Sequence, residues 1–238
     1  MSGPLAVLPE RCGGAAENMA QDFLLLQRWP GPPGPRFRHY DWRGPAFTFG
    51  YSQKVEFIRS QLPPGESYDL CRRPTGGGLV DHRRDWTYAL VVPRGHPWEE
   101  MRASESYRRV HESLASALRA QGVEAELQKR VEEPDRPPGP EGVCFQRAEV
   151  YDVVGRDGRK IAGAAQKRNK QGLLLQGSIW RPAAGEGIDW DRFLEDFPGE
   201  LARGLGAKAE PAPWPEFAEC ELEALIEHYA SPEWMEFR

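Results

Sequence analysis

Hydrophobic and polar positions along the chain mark out a series of elements. Ala16, Met19, Ala20, Phe23 and Leu26 recur at three- and four-residue spacing, which predicts a helix over 15–27. The proline–glycine run at 30–35 ends it as a stiff connector. Positions 36–42 and 46–50 read as two short strands about a turn at Gly44-Pro45, and 68–72 as a third extended run. Over 85–93, Trp86, Tyr88, Leu90 and Val92 alternate with Thr87, Ala89 and Val91. Both faces are therefore largely apolar, which predicts a strand in the middle of a sheet. Tyr107, Val110, Leu114, Ala117 and Leu118 form the stripe of a helix over 104–121, and Gly122 suits the position just past its end. Strand character resumes at 123–127, and the segment 132–142, rich in proline and glycine, reads as a loop. Positions 150–154 and 159–168 predict a hairpin about Gly155-Arg156-Asp157-Gly158, with 172–180 as a third adjacent strand. Helices follow near 189–196 and 218–229. No internal repeat is present. The pattern predicts an α/β (α+β) fold, a mixed and largely antiparallel sheet flanked by helices. A single domain over 1–238 is expected, with C-terminal helices from about 189 packed on it.

Composition narrows the function classes. With 39% hydrophobic and 28% charged residues, the 238-residue chain supports a packed core. A formal net charge of -5 argues against a general nucleic-acid footprint, so any basic site must be local. No apolar run approaches the roughly 18 residues that span a bilayer. The opening residues carry no cationic stretch before their short apolar run, so a cytoplasmic protein is expected. Cys12, Cys71, Cys144 and Cys220 are scattered without paired spacing, and read as independent reduced thiols with no metal site.

Four features carry candidate chemistry. Arg72 and Arg73 lead through Pro74-Thr75 into Gly76, Gly77 and Gly78. Three glycines remove every Cβ, so a ligand could approach the backbone closely. Neither a Walker loop nor a dinucleotide fingerprint fits, because no Gly-Lys-Ser/Thr follows and a strand comes next. A flexible turn flanked by surface charge is the plain alternative. Cys144 lies between the loop and a strand, a place suited to an exposed nucleophile that could carry an acyl group between partners. A buried cysteine acting as a small hydrophobe is the alternative. Cys71, beside Arg72, is an equal candidate on these grounds. On an alternating strand Lys160 would share a face with Ala162, Ala164 and Gln166. A lysine there could lower a thiol pKa or polarise a carbonyl, or merely guard a sheet edge. His82 could be a base, a wall residue or a structural hydrogen bonder.

Taken in order, five segments resemble the lipoate–protein ligase A / lipoyl(octanoyl) transferase family, which is related in fold to biotin–protein ligases. They are "GAAENMAQDFLLL", "RFRHYDWRGPAFTFGYSQ", "RRPTGGGLVDHRRDWTYAL", "RKIAGAAQKRNKQGLLLQGSI" and "HYASPEW", and they cover most of the chain. "VCF" puts Cys144 where the cysteine-dependent octanoyltransferases of that family carry their cysteine, and Lys160 falls on the family's lysine. The resemblance therefore implies Cys144 and Lys160 as catalytic residues. It implies Arg72, Arg73, Gly76, Gly77, Gly78, His82, Gly163, Ala164, Gln176, Gly177 and Ser178 as substrate-binding residues. Members commonly have His-Gly-Ser or His-Gly-Thr where this chain has Gln176-Gly177-Ser178. The implied reaction takes an octanoyl or lipoyl group from acyl carrier protein, through a Cys144 thioester, to a lysine of a lipoyl domain or the glycine-cleavage H protein. No cofactor is implied by that reading, and neither nucleic acid nor membrane is a partner. An ATP-dependent lipoate–protein ligase, using ATP and Mg to form a lipoyl-adenylate, is the alternative. A non-catalytic carrier-binding homologue is a third.

Overall fold

The computed structural model describes residues 3–130 and 147–237. The strands are β1 (Leu5–Val7), β2 (Arg11–Gly13), β3 (Arg36–Trp42), β4 (Ala46–Phe49), β5 (Asp69–Arg72), β6 (Leu79–Asp81), β7 (Asp85–Pro93), β8 (Ala125–Leu127), β9 (Val153–Gly155), β10 (Lys160–Asn169), β11 (Gly172–Trp180) and β12 (Ala209–Pro211). The helices are α1 (Ala15–Gln27), α2 (Val55–Arg59), α3 (Pro97–Glu100), α4 (Ala103–Ala120), α5 (Arg181–Ala184), α6 (Trp190–Leu205), α7 (Glu219–Ala230) and α8 (Pro232–Met235). The predicted loop at 132–142 lies outside the described residues.

The large sheet runs β12-β1-β3-β7-β11-β10-β9-β8, with β2 also on β3, and β5-β4-β6 form a second, small sheet. Antiparallel pairing dominates the middle of the large sheet, and parallel pairs gather at the β1, β2 and β12 end. The predicted turn at Gly44-Pro45 does not close a hairpin. Instead β3 stays in the large sheet while β4 crosses to the small one, pairing β5 and β6. That switch opens a space between the two sheets.

Strand β7 lies between β3 and β11, as its two apolar faces predict. Trp86, Tyr88, Leu90 and Val92 join Leu114 and Leu118 of α4 and Phe193, Phe197 and Leu201 of α6 in the main core. Ala89 and Val91 turn the other way, onto Leu25 and Leu26 of α1. Helix α6 runs past its predicted end and through Pro198. A proline inside a helix costs about 3 kcal/mol. Burial of Phe193, Phe197, Leu201 and Leu205 along one stripe offsets it. Gly122 has φ +84°, as the predicted helix end requires, and Gly158 closes the β9–β10 turn at φ +77°. Among the described residues, no helix is long and apolar enough to cross a membrane.

Candidate active site

The space between the sheets is a pocket with about 480 Å³ of empty volume, part of it open to solvent. Lys160, Gly163, Ala164, Ala165, Gln176, Gly177 and Ser178 line it from β10 and β11, and Thr48, Arg73, Gly77 and His82 line it from the small-sheet side. Most of the residues singled out from sequence therefore converge here. Arg72, Gly76 and Gly78 are not among those lining it.

Lys160 is turned by a bulge. It registers with Val154 and Ala162 registers with Val153, so β10 holds an extra residue at Ile161. Strict alternation fails here, because Ile161 and Ala162 both enter the main core. Lys160 instead lies over Gly163, where a Cβ would come within 2.6 Å of its Cε and Nζ. The space at Gly163 is thus taken by the lysine rather than kept for a ligand. Lys160 Nζ sits 2.7 Å from Asp152 Oδ2, with the lysine side chain 8% exposed and the aspartate fully buried. A buried ammonium needs such a partner.

Asp152 is held from several sides. The Glu149 amide donates to Oδ2 at 2.7 Å, and the Tyr107 hydroxyl makes a short hydrogen bond to Oδ1. The Ala164 amide in turn donates to the Tyr107 oxygen at 3.1 Å. Burial, and then the Asp152 charge, push the Tyr107 phenol far up, so it stays a donor. One turn along α4, His111 Nδ1 donates to the Tyr151 carbonyl at 2.7 Å. Burial pushes this imidazole down to about 4, so it is neutral at pH 7. Tyr151 has φ +71°, the one non-glycine residue in the left-handed region among those described. Strained backbone of this kind gathers at sites where a neighbour must be aimed, here Asp152. Sequence reading assigned Tyr107 to the core and passed over His111 and Asp152. Only the side-chain spacing of Tyr107 and His111, four apart on one helix face, hinted at a pair.

The opposite wall is a chain of buried hydrogen bonds. Arg73 donates to Thr48 Oγ1 at 2.8 Å, Thr48 Oγ1 lies 2.6 Å from His82 Nε2, and His82 Nδ1 lies 2.7 Å from Asp85 Oδ2. Thr48 accepts from Arg73, so its own proton goes to Nε2 and the imidazole proton on Nδ1 goes to Asp85. Ser178 Oγ makes a short hydrogen bond to the same carboxylate oxygen, and Thr87 donates to it at 2.9 Å. His82 is also stacked on Trp42, with ring centroids 4.0 Å apart. Both of its nitrogens are engaged, which makes it a shaped wall.

The arginine–glycine segment does something other than form a cationic rim. Arg73 is buried and donates to the carbonyls of Gly76 and Gly78 at 2.8 and 3.0 Å, folding the loop around its own guanidinium. Gly77 takes φ +88°, and its carbonyl lies where a Cβ on Gly50 would stand, 1.9 Å away. Arg72 is fully buried and points away. It donates to the carbonyls of Tyr51, Gln53, Trp234 and Met235 at 2.7 to 2.9 Å, tying α8 to the small sheet. Neither arginine is available to attract a partner from solution.

Gln176 closes another end of the pocket. Its Oε1 accepts from Thr75 at 2.7 Å and its Nε2 donates to Asp22 Oδ2 at 2.7 Å. Asp22 is itself paired with Arg38 at 2.6 Å, both fully buried. A neutral amide both accepts and donates there, which a single tautomer of histidine would also do. Gly177 gives up its side chain to the Tyr88 ring, which would lie 2.2 Å from a Cβ.

Cys144 lies outside the described residues, which resume at Arg147. Cys71, the rival candidate, is buried, and burial pushes its thiol up to about 12. It is an inert core thiol beside the Tyr229 carbonyl. Cys12 and Cys220 are exposed and do not line the pocket.

A family model described as "Lipoyl protein ligase A/B catalytic domain" matches residues 14–182. The chain is 38% identical over 170 residues to an "Octanoyltransferase LipM" of Bacillus cereus, covering 69% of this chain and 60% of that one. The matched stretch thus spans less than two thirds of that relative. An "Octanoyltransferase LipM" of Kyrpidia tusciae is 29% identical over 260 residues, covering 93% of this chain and 94% of that one. Among solved structures, a bi-partite lipoate protein ligase from Thermoplasma acidophilum superposes with a TM-score of 0.70 at 18% identity, over 100% of this chain and 98% of that one. At that identity the likeness is one of fold.

Proposed function

The chain belongs to the lipoyl protein ligase A/B catalytic domain family, and on that premise we propose that it is an octanoyltransferase of protein lipoylation. An octanoyl group arrives as a thioester on acyl carrier protein. The Cys144 thiolate attacks its carbonyl, the carrier thiol leaves with a proton, and a Cys144 thioester forms. The ε-amine of a lysine on a lipoyl domain, or on the glycine-cleavage H protein, then attacks. It forms an amide, gives up a proton to the site, and returns Cys144 to the thiol state. Lys160 provides positive charge to a thiolate in the first step and to the carbonyl oxygen in both. Asp152 and Tyr107 hold its ammonium in place.

One observation supports this reading above the rest. The buried Lys160–Asp152 pair faces a pocket whose β10 floor beyond the lysine, Ala164 and Ala165, carries nothing larger than a methyl group. A slender aliphatic chain fits such a floor. The relatives' name, "Octanoyltransferase LipM", points the same way. The transferase reading needs no ATP, magnesium or other cofactor, and it makes Cys144 indispensable. A lipoate–protein ligase would need ATP and would not need Cys144. The experiment is acylation of an isolated lipoyl domain, followed by mass spectrometry. Octanoyl-carrier without ATP is expected to acylate the domain. Acylation only with free lipoate, ATP and Mg2+ would replace this reading with the ligase.

A further inference from the structure

On the large sheet, neighbouring residues of β3 face opposite ways. Tyr40 lines the acyl pocket, whereas His39 stacks on Trp86 of the main core, with ring centroids 4.1 Å apart and planes 7° apart. His39 is 4% exposed. Its Nδ1 lies 2.7 Å from the Thr87 carbonyl oxygen and must donate to it, which fixes the proton on Nδ1 and leaves the Nε2 lone pair free. That lone pair has no hydrogen-bond partner among the described residues. It faces two carboxylates, Glu10 Oε1 at 3.9 Å and Asp41 Oδ1 at 4.0 Å. All three donor atoms lie within 4.8 Å of one another. Glu10 directly precedes β2, whose Arg11 registers with Tyr40, so the three donors come from two adjacent strands.

We propose that Glu10, His39 and Asp41 bind a divalent first-row transition metal ion, on the face of the sheet turned away from the pocket. The arrangement has the marks of a metal site. A ligating histidine almost always donates its other ring N–H to a carbonyl or carboxylate, as His39 does to Thr87. Bonds of about 2.1 Å at tetrahedral angles put donors about 3.4 Å apart. Each carboxylate oxygen therefore needs to move about half an ångström toward Nε2, and no pair of the three donors needs to close by more than about 1.4 Å, which two half-exposed carboxylates can accommodate. One imidazole with two carboxylates favours a zinc-, cobalt- or manganese-like ion over calcium or magnesium. Arg181 lies 3.9 Å from Asp41 Oδ1 and offsets one of the two negative charges, leaving the other for the ion. Bound there, the ion ties β2 to β3 just ahead of α1.

Equilibrium dialysis of the full, reduced chain against Co2+ tests this. Its visible spectrum separates the donors, because thiolate ligands add an intense sulfur-to-cobalt band that nitrogen and oxygen ligands lack. One Co2+ per chain without that band is expected. Glu10→Gln, Asp41→Asn and His39→Gln are each expected to weaken binding at least about tenfold, since even outer partners of metal ligands cost that much. Glu10 is exposed, so Glu10→Gln carries the test even where His39→Gln disturbs the core. Co2+ is also expected to raise the Tm of the wild-type chain and not that of Glu10→Gln. Failure to bind one equivalent, affinity unchanged in Glu10→Gln, or a thiolate band would each overturn the site.

Discussion

Gly163 shows how much one missing methyl group decides. A Cβ there would lie 2.6 Å from Lys160 Cε and Nζ and 3.1 Å from Asp152 Oδ1. The lysine end is flexible, so Gly163→Ala moves the ammonium rather than the backbone. The variant is expected to keep its Tm within a few degrees while its acyl-transfer rate falls at least about tenfold, as small misplacements of catalytic groups do. Full activity in Gly163→Ala would show that Lys160 need not stand where it does. Sequence alone marked both residues but explained them differently. The family resemblance made Gly163 a substrate-binding residue, and strict alternation put Lys160 on the face of Ala162. A bulge at Ile161 reverses that grouping, and no residue pattern announces a bulge. Arg72 and Arg73 carried the same motif, yet one clamps α8 and the other folds the glycine loop. Two adjacent arginines look alike until their hydrogen-bond partners are known.

Helix α4 links packing to the site. Val110, Leu114 and Leu118 bury its stripe, while Tyr107 and His111 reach the strained turn at Tyr151 and Asp152. His111 is buried, and its folded pKa of about 4 lies below the ordinary value of 6.5. Between those values the unfolded chain takes up more protons than the folded one. Stability from this group is therefore complete above about pH 6.5 and is lost as pH falls toward 4. The wild-type chain should be about 2 kcal/mol less stable at pH 5 than at pH 7 on this account, by urea unfolding. His111→Gln should remove most of that difference, and an unchanged pH dependence would place its origin elsewhere. The long elements were legible because their periodicity was sustained, as in α1, α4, β7 and β11. Strands β1, β2 and β12 have three residues each, too few to show alternation. They are held by parallel partners distant in sequence, which a local pattern does not record.

The whole molecule is two sheets with a pocket between them. The large sheet has α4 and α6 on one face and α1 on the other, and the small sheet supplies the arginine–glycine wall. The fold class was legible from strand and helix patterns. The division into two sheets was not, because β4 leaves its sequence neighbour β3 without any change in composition. The joined walls bring Lys160, His82, Gln176 and Ser178 to one cavity although the sequence spreads them over nearly a hundred positions. That convergence gives the transferase account its physical basis, and a thioester on Cys144 is its central claim. Intact mass spectrometry after incubation with octanoyl-carrier tests it most directly. Wild-type protein should gain one octanoyl group that hydroxylamine removes, and Cys144→Ser should gain none. A wild-type chain that gains no such group, or a Cys144→Ser chain that still gains it, would contradict the account.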